Sequence, residues 1–260
     1  MKVVILAGGF GTRISEESQF KPKPMLEIGG MPILWHIMKI YSHYGINEFI
    51  ICAGYKQQII KQWFSNYYLY TSDITFNFTN GQNEMVVHNK HIEPWKVTIV
   101  DTGLNTQTGG RVKQVQSYVG NETFMVTYGD AVGDVDINGL LTFHRNHKRI
   151  GTISMYNFGQ NKGVVEVGKN GVISAFREKS NLDGDLINIG FMVFEPDLFD
   201  YIEGNDTIFE KGPLTDLVKN QQLTGYTHKG FWQCMDTLRE KQQLESMWNS
   251  GKAPWKIWRE

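Results

Sequence analysis

Lys2-Val3-Val4-Ile5-Leu6-Ala7-Gly8-Gly9-Phe10-Gly11-Thr12-Arg13, followed shortly by Lys21-Pro22-Lys23-Pro24, is the stretch on which the reading of this chain turns. An apolar, β-branched run predicts a buried strand over 2–6, and it opens directly into a glycine-rich turn that ends on an arginine. Glycines at 8, 9 and 11 leave the backbone N–H groups of that turn open to a phosphate. Arg13 offers a planar fork of donors. Lys23 offers a point charge, which Pro22 and Pro24 hold on a stiff, extended segment. The pair suits a triphosphate, and the stretch reads as a nucleotide-handling loop. Gly9-Phe10-Gly11-Thr12-Arg13-Ile14 lacks the third glycine of a dinucleotide fingerprint, and no G-x-x-x-x-G-K-[ST] occurs, so a Walker-type NTPase is excluded.

Outward from that loop the chain alternates. Helical periodicity runs from Pro32 to Tyr44, a strand from Glu48 to Ala53, and an amphipathic helix from Lys56 to Tyr67. Strands follow at Lys96 to Asp101 and Thr123 to Tyr128, with helices near Gly110 to Val119 and Ile137 to His147. This alternation predicts an α/β fold with a Rossmann-like, mostly parallel sheet covered on both faces. From Ile150 the rhythm changes to short strands at 151–156, 163–167, 172–177 and 188–194, parted by turns such as Lys169-Asn170-Gly171. Helical patterns return at Pro213 to Gln222 and Asp236 to Trp248. The expected organisation is a nucleotide-binding core over 1–150, a β-rich sugar-phosphate-binding lobe over 151–235 and a C-terminal helix and tail over 236–260, in one continuous unit.

With 260 residues, 41% hydrophobic and 20% charged, the chain is long enough for a substantial core and has no disordered composition. Its net charge of −1 gives no field for a polyanion, so nucleic acid is not an expected partner and any phosphate site must be built locally. The run Val3 to Leu6 is too short for a signal-peptide core, and no segment approaches the roughly 20 apolar residues of a membrane span. Two cysteines, Cys52 and Cys234, read as buried thiols in a reducing compartment, and the expected location is cytoplasmic.

Carboxylates at a strand end mark the second half of the chemistry. Asp130, in Thr127-Tyr128-Gly129-Asp130, falls at the carboxyl end of an expected core strand, where ligands of open α/β sheets gather. It is a natural Mg²⁺ ligand beside a triphosphate, against the duller reading of a turn-initiating Asp. Asp236 is a second candidate ligand or, from local sequence alone, an ordinary helix N-cap. Glu178, Lys179 and Asn188 together suit sugar hydroxyls and a phosphate, or else an exposed ion pair and a turn residue. Thr106, Thr108, Gly109, Gly110 and Arg111 form a polar stretch before a helix, suited to anion contacts at its start or to a flexible loop. His88/His91 and His144/His147 lack zinc spacing. Trp232, Trp248, Trp255 and Trp258 suit core packing or a subunit interface, which makes a homo-oligomer an expectation.

Leu6 to Arg13 with Lys21 to Pro24 resembles the signature of the sugar-1-phosphate nucleotidyltransferases, and the likeness extends along nearly the whole chain. It is carried further by Ile28-Gly29-Gly30-Met31-Pro32-Ile33-Leu34-Trp35-His36, Val100-Asp101-Thr102-Gly103, Thr108-Gly109-Gly110-Arg111, Gly230-Phe231-Trp232-Gln233, Met235-Asp236-Thr237-Leu238-Arg239 and Gly251-Lys252-Ala253-Pro254-Trp255-Lys256. The resemblance implies a transferase that joins CTP to a hexose 1-phosphate, with α-D-glucose 1-phosphate the expected sugar, to give a CDP-sugar and pyrophosphate. In the family such a product feeds bacterial surface polysaccharides, the O-antigen of lipopolysaccharide among them. It further implies that Leu6, Ala7, Gly8, Gly9, Phe10, Gly11, Thr12 and Arg13 wrap the nucleotide, with Lys23 on phosphate. Thr106, Arg111 and Gly129 would line the site, and Glu178, Lys179 and Asn188 would hold the sugar phosphate. Asp130 and Asp236 would hold Mg²⁺, and Arg13, Lys23 and Asp130 would form the catalytic set. Ala131, Ser180, Ile189 and the stretch Asn157 to Lys162 depart from the family pattern, mostly on the sugar side. UTP or dTTP in place of CTP, another sugar 1-phosphate, and a non-catalytic sugar-nucleotide-binding homologue are the alternative readings.

Overall fold

Hydrophobic side chains alternate between two cores along the first strand, β1 (Lys2–Ala7): Val3, Ile5 and Ala7 face one, Val4 and Leu6 the other. A strand buried on both sides belongs at the middle of a sheet, and β1 is there. The computed structural model describes residues 1–81, 83–88, 92–157, 164–167, 173–177 and 186–259. Among these, a seven-stranded sheet is made by β1, β2 (Glu48–Ala53), β3 (Lys96–Asp101), β4 (Phe124–Tyr128), β5 (Gly151–Asn157), β6 (Leu186–Phe194) and β7 (Leu223–His228), in the order β7-β5-β6-β4-β1-β2-β3. Every pairing is parallel except those of β6, which runs against both β4 and β5. The fold is therefore mixed α/β around a mostly parallel sheet.

Helices cover both faces. On the first pack α1 (Ile33–His43), α4 (Ile137–His147) and α6 (Leu238–Asn249), and on the second α3 (Thr108–Gln114) and α5 (Pro213–Lys219); α2 is Gln57–Ser65. The described strands after residue 150 do not form one sheet of their own: β5, β6 and β7 extend the main one, Val164–Val167 with Ile173–Arg177 form a separate hairpin, and Trp232–Cys234 pairs with Ala131–Gly133. Strand β7 escapes the sequence pattern because Gly225 breaks its alternation; a Cβ there would lie 2.3 Å from the Met155 side chain of neighbouring β5. Tertiary pairing, not propensity, makes that strand.

The tail tryptophans close on the chain's own core. Trp248, Trp255 and Trp258 surround the fully buried His36, whose Nε2 donates to the Ile28 carbonyl at 2.8 Å while its Nδ1 accepts from Trp255 at 3.4 Å. Burial holds the His36 pKa down to about 4, so the ring is neutral. His144 is likewise a core histidine, bonded to Thr152 and Glu195. No described helix is long and apolar enough to cross a membrane.

Candidate active site

The carboxyl ends of β1, β2, β3 and β4 and the amino end of the reversed β6 lie on one edge of the sheet, where a cleft of about 760 Å³ opens. The whole glycine loop from Leu6 to Arg13, Lys23, Thr106, Arg111, Gly129, Asp130, Asn188 and Asp236 line it. Parts of the chain more than 200 residues apart thus meet as the motifs required. Glu178 and Lys179 lie outside the described residues, as do Ser180, His91 and the turn at 169–171.

Lys23 is the centre of the cationic wall. Pro22, at φ −64°, and Pro24 set it in a single 3₁₀ turn, and only 8% of its side chain is exposed. Its Nζ donates to Asp130 Oδ2 at 2.6 Å and to Asp236 Oδ1. Arg13 reaches the other oxygen of Asp236 at 2.5 Å. Burial by itself would lower the Lys23 pKa, but Asp130 and then Asp236 outweigh it and hold the ammonium above its ordinary value. Asp236 is not the cap of α6. That role belongs to Thr237, whose hydroxyl accepts from Glu240 N, while the Glu240 carboxylate accepts from the backbone N–H groups of Asp236 and Thr237. The Asp236 carboxylate is thereby left to the cleft.

Arg111 has a different task from the one its position suggests. Its guanidinium is buried and donates to the carbonyls of Gly8, Ala53, Gly103 and Leu104 and to Thr102 Oγ1, at 2.6 to 3.3 Å. It ties together the segments that follow β1, β2 and β3. Burial pulls its pKa below the ordinary value, with Asp101 opposing weakly, yet a guanidinium stays charged. A Cβ on Gly8 would sit 2.1 Å from this guanidinium and one on Gly54 at 2.6 Å. Gly8 therefore leaves the space that Arg111 fills, a demand on this position separate from the expected approach of phosphate to its backbone. Gly9 does face open space, and Gly11 sits at φ +67°, where side chains are strained.

The start of α3 is not an open anion site either. The N–H groups of Gln107 and Gly109 donate to the carbonyls of Asn205 and Thr207, at 2.9 Å each. Segment 203–212 is thereby held against the start of α3, and its Glu210 joins the wall of the cleft. From it Glu210 accepts from the Tyr128 hydroxyl at 2.6 Å and from Thr108 Oγ1 at 2.8 Å. Burial, and then the Glu210 charge, push the Tyr128 phenol up, so it keeps its proton and donates. Asn188 enters the same wall through an irregularity in β6: the register with β5 jumps from Ile153↔Met192 to Met155↔Asn188. Gly190, at φ +82°, forms the bend, its N–H donating to Asn188 Oδ1 at 3.0 Å, and a Cβ there would strike the Tyr128 ring at 2.4 Å. Glycine thus follows Asn188 by two residues rather than one. Glu210 lines the cleft but carries no motif, so only the fold reveals it; Tyr128, Trp232 and Cys234, which sit in or beside the motif stretches, line it as well, beyond the expected site residues. Burial raises the Cys234 thiol to about 12, which makes it inert near neutrality.

The cleft thus presents a glycine loop and paired carboxylates around an ammonium at the carboxyl ends of the strands. Residues 2–237 match the family model for nucleotidyl transferases, and the chain belongs to that family. Among individual proteins it is 50% identical over 259 residues to the glucose-1-phosphate cytidylyltransferase of Salmonella typhimurium, covering 99% of this chain and 100% of that one. It is 42% identical over 260 residues to the probable glucose-1-phosphate cytidylyltransferase of Bacillus subtilis, with 99% and 100% covered. The fold is similar to the crystal structure of HddC from Yersinia pseudotuberculosis complexed with GMP-PN, with a TM-score of 0.66 at 21% identity, over 95% of this chain and 99% of that one.

Proposed function

We propose that this chain transfers a cytidylyl group from CTP to glucose 1-phosphate, forming CDP-glucose and releasing pyrophosphate. The observation that carries the chemistry is the protonated Lys23 held between Asp130 and Asp236, beside Arg13 and facing the glycine loop. The choice of base and sugar is supported by the relatives at 50% and 42% identity. A phosphate oxygen of the sugar attacks the α-phosphorus of CTP in line, that P–O bond forms, and the bond to the β-phosphate breaks on the opposite side. The attacking oxygen is already ionised, so no general base is required. The barrier is the repulsion of two anions and their alignment. Lys23 and Arg13 donate to the phosphate oxygens where charge builds, and the backbone from Leu6 to Gly8 faces the base. One phosphoanhydride replaces another, so the equilibrium lies near unity.

The residues present fit a divalent cation. Asp130 and Asp236 are partly exposed, hard oxygen donors that converge on one positive charge, and Mg²⁺ commonly takes one or two carboxylates plus phosphate oxygens. Asp130 and Asp236 would hold it, and when bound it would offset charge on the triphosphate. A pyrophosphate-release assay with glucose 1-phosphate and each of CTP, UTP, dTTP, ATP and GTP tests the reading. Release with CTP well above the others is expected. No release with CTP, or equal release with UTP, would overturn it.

A further inference from the structure

We infer that Glu210 is a specificity-determining residue for the sugar: its carboxylate accepts a hydrogen bond from a hydroxyl of the hexose, and Tyr128 and Thr108 are the positioning residues that aim it. This rests on the reading of a sugar 1-phosphate as the second substrate. Glu210 comes from segment 203–212, distant in sequence from every motif, yet it lines the cleft. Each of its carboxylate oxygens takes one donor, Tyr128 Oη at 2.6 Å on Oε1 and Thr108 Oγ1 at 2.8 Å on Oε2. A carboxylate accepts at about four sites, so both oxygens keep capacity toward the open side.

Charge decides which part of the substrates this group meets. The cations of the cleft lie at the glycine loop, where phosphates belong, and the carboxylates there, Asp130 and Asp236, are paired with Lys23 and Arg13. Among the described ion pairs none neutralises Glu210, whose charge would repel a phosphate. The uncharged parts that carry O–H donors are the hexose ring and the ribose of the nucleotide, and position chooses the hexose. Position agrees with charge, because the Tyr128 ring packs under Gly190 in the bend that presents Asn188, one strand away from the glycine loop. Thr108 is itself held by the Phe209 N–H at 2.9 Å, so both donors are anchored before any sugar arrives. Glu210 is exposed to the cleft, so a sugar lacking the matching hydroxyl displaces water from the carboxylate and returns no donor in its place, which a prearranged acceptor penalises.

The test measures kcat and KM with CTP for wild type, Glu210→Gln and Tyr128→Phe, against glucose 1-phosphate and its 2-, 3-, 4- and 6-deoxy analogues. Expected is a roughly tenfold or larger rise in KM for glucose 1-phosphate in Glu210→Gln, with KM for CTP within about twofold. For one deoxy analogue, already poor with wild type, the substitution should cost nothing further. Tyr128→Phe, which keeps the ring against Gly190, should move the sugar KM in the same direction by a smaller factor. A rise in the CTP KM instead, or an equal loss with all four analogues in a variant whose melting temperature matches wild type, would overturn the inference. So would unchanged sugar kinetics. Failure of wild type itself to use any sugar 1-phosphate would instead sink the reading on which it rests.

Discussion

Lys23 and Arg111 are both cations sunk into the wall of one cleft, and they keep their charge by opposite means. Lys23 is gripped by two carboxylates, with Arg13 sharing the second, so that positive and negative groups are concentrated where a phosphate and a cation can enter the exchange. Among its described hydrogen bonds Arg111 touches no carboxylate. It spends them on four backbone carbonyls and a hydroxyl, and two glycines, Gly8 and Gly54, are shaped around it. The first arrangement can trade partners with a ligand; the second is a staple that a ligand would have to break. Two residues of the same charge in the same cavity are thus built differently: under the proposed function one meets the substrates, and the other holds strand ends together.

The comparison can be broken most decisively at Arg111. Arg111→Met leaves several carbonyls without donors where three strand ends meet, and we expect a loss of about 4 kcal/mol in urea unfolding. A loss below about 1 kcal/mol, with turnover abolished, would make Arg111 a ligand group rather than a staple. His36 sharpens the contrast from another side, as a buried base with no anion beside it. Its pKa is held to about 4, against about 6.5 when unfolded, so the folded state resists a proton that the unfolded state accepts. Stability is then full above pH 6.5 and falls as pH drops toward 4, by on the order of 3 kcal/mol. Thermal melting followed from pH 7 to pH 4 should show this slope, and His36→Gln should flatten it.

Lys23→Ala should cut turnover by about 10² or more, as for the loss of one preorganised donor, while costing less stability than Arg111→Met. Turnover within a few-fold of wild type would remove Lys23 from the reacting groups. Asp130→Asn should bring the smallest change, raising the Mg²⁺ concentration for half-maximal rate by roughly tenfold, which corresponds to about 1.4 kcal/mol. An unchanged Mg²⁺ titration would leave Asp130 only its bond to Lys23.

Much of this was legible in order of residues alone. The strand into Gly8, the helix at 33–43, the strands at 48–53, 96–101 and 124–128, and the placing of Asp130 at a strand end all follow from local pattern, because each is decided by neighbours in sequence. The glycine loop and the Lys-Pro-Lys-Pro segment were legible for the same reason. The duller possibility for Asp236, a helix cap, could not be dismissed locally, since Asp caps at least as well as Thr; the fold gives the cap to Thr237. That Gly8 must also make room for Arg111 was hidden, because nothing in sequence announces that residue 111 will fill the space beside it. The helix start at Thr108 looked open because the carbonyls that close it belong to Asn205 and Thr207, about a hundred residues on.

What the sequence by itself determined is the alternating core, the glycine loop and the list of charged groups, since these depend on periodicity and on residue type. What only the tertiary structure decided is which of those charges face one another. Lys23 meets Asp236 across 213 residues and Tyr128 meets Glu210 across 82. Electrostatic and hydrogen-bond energies depend on separations of a few ångströms, and a linear order does not contain such distances.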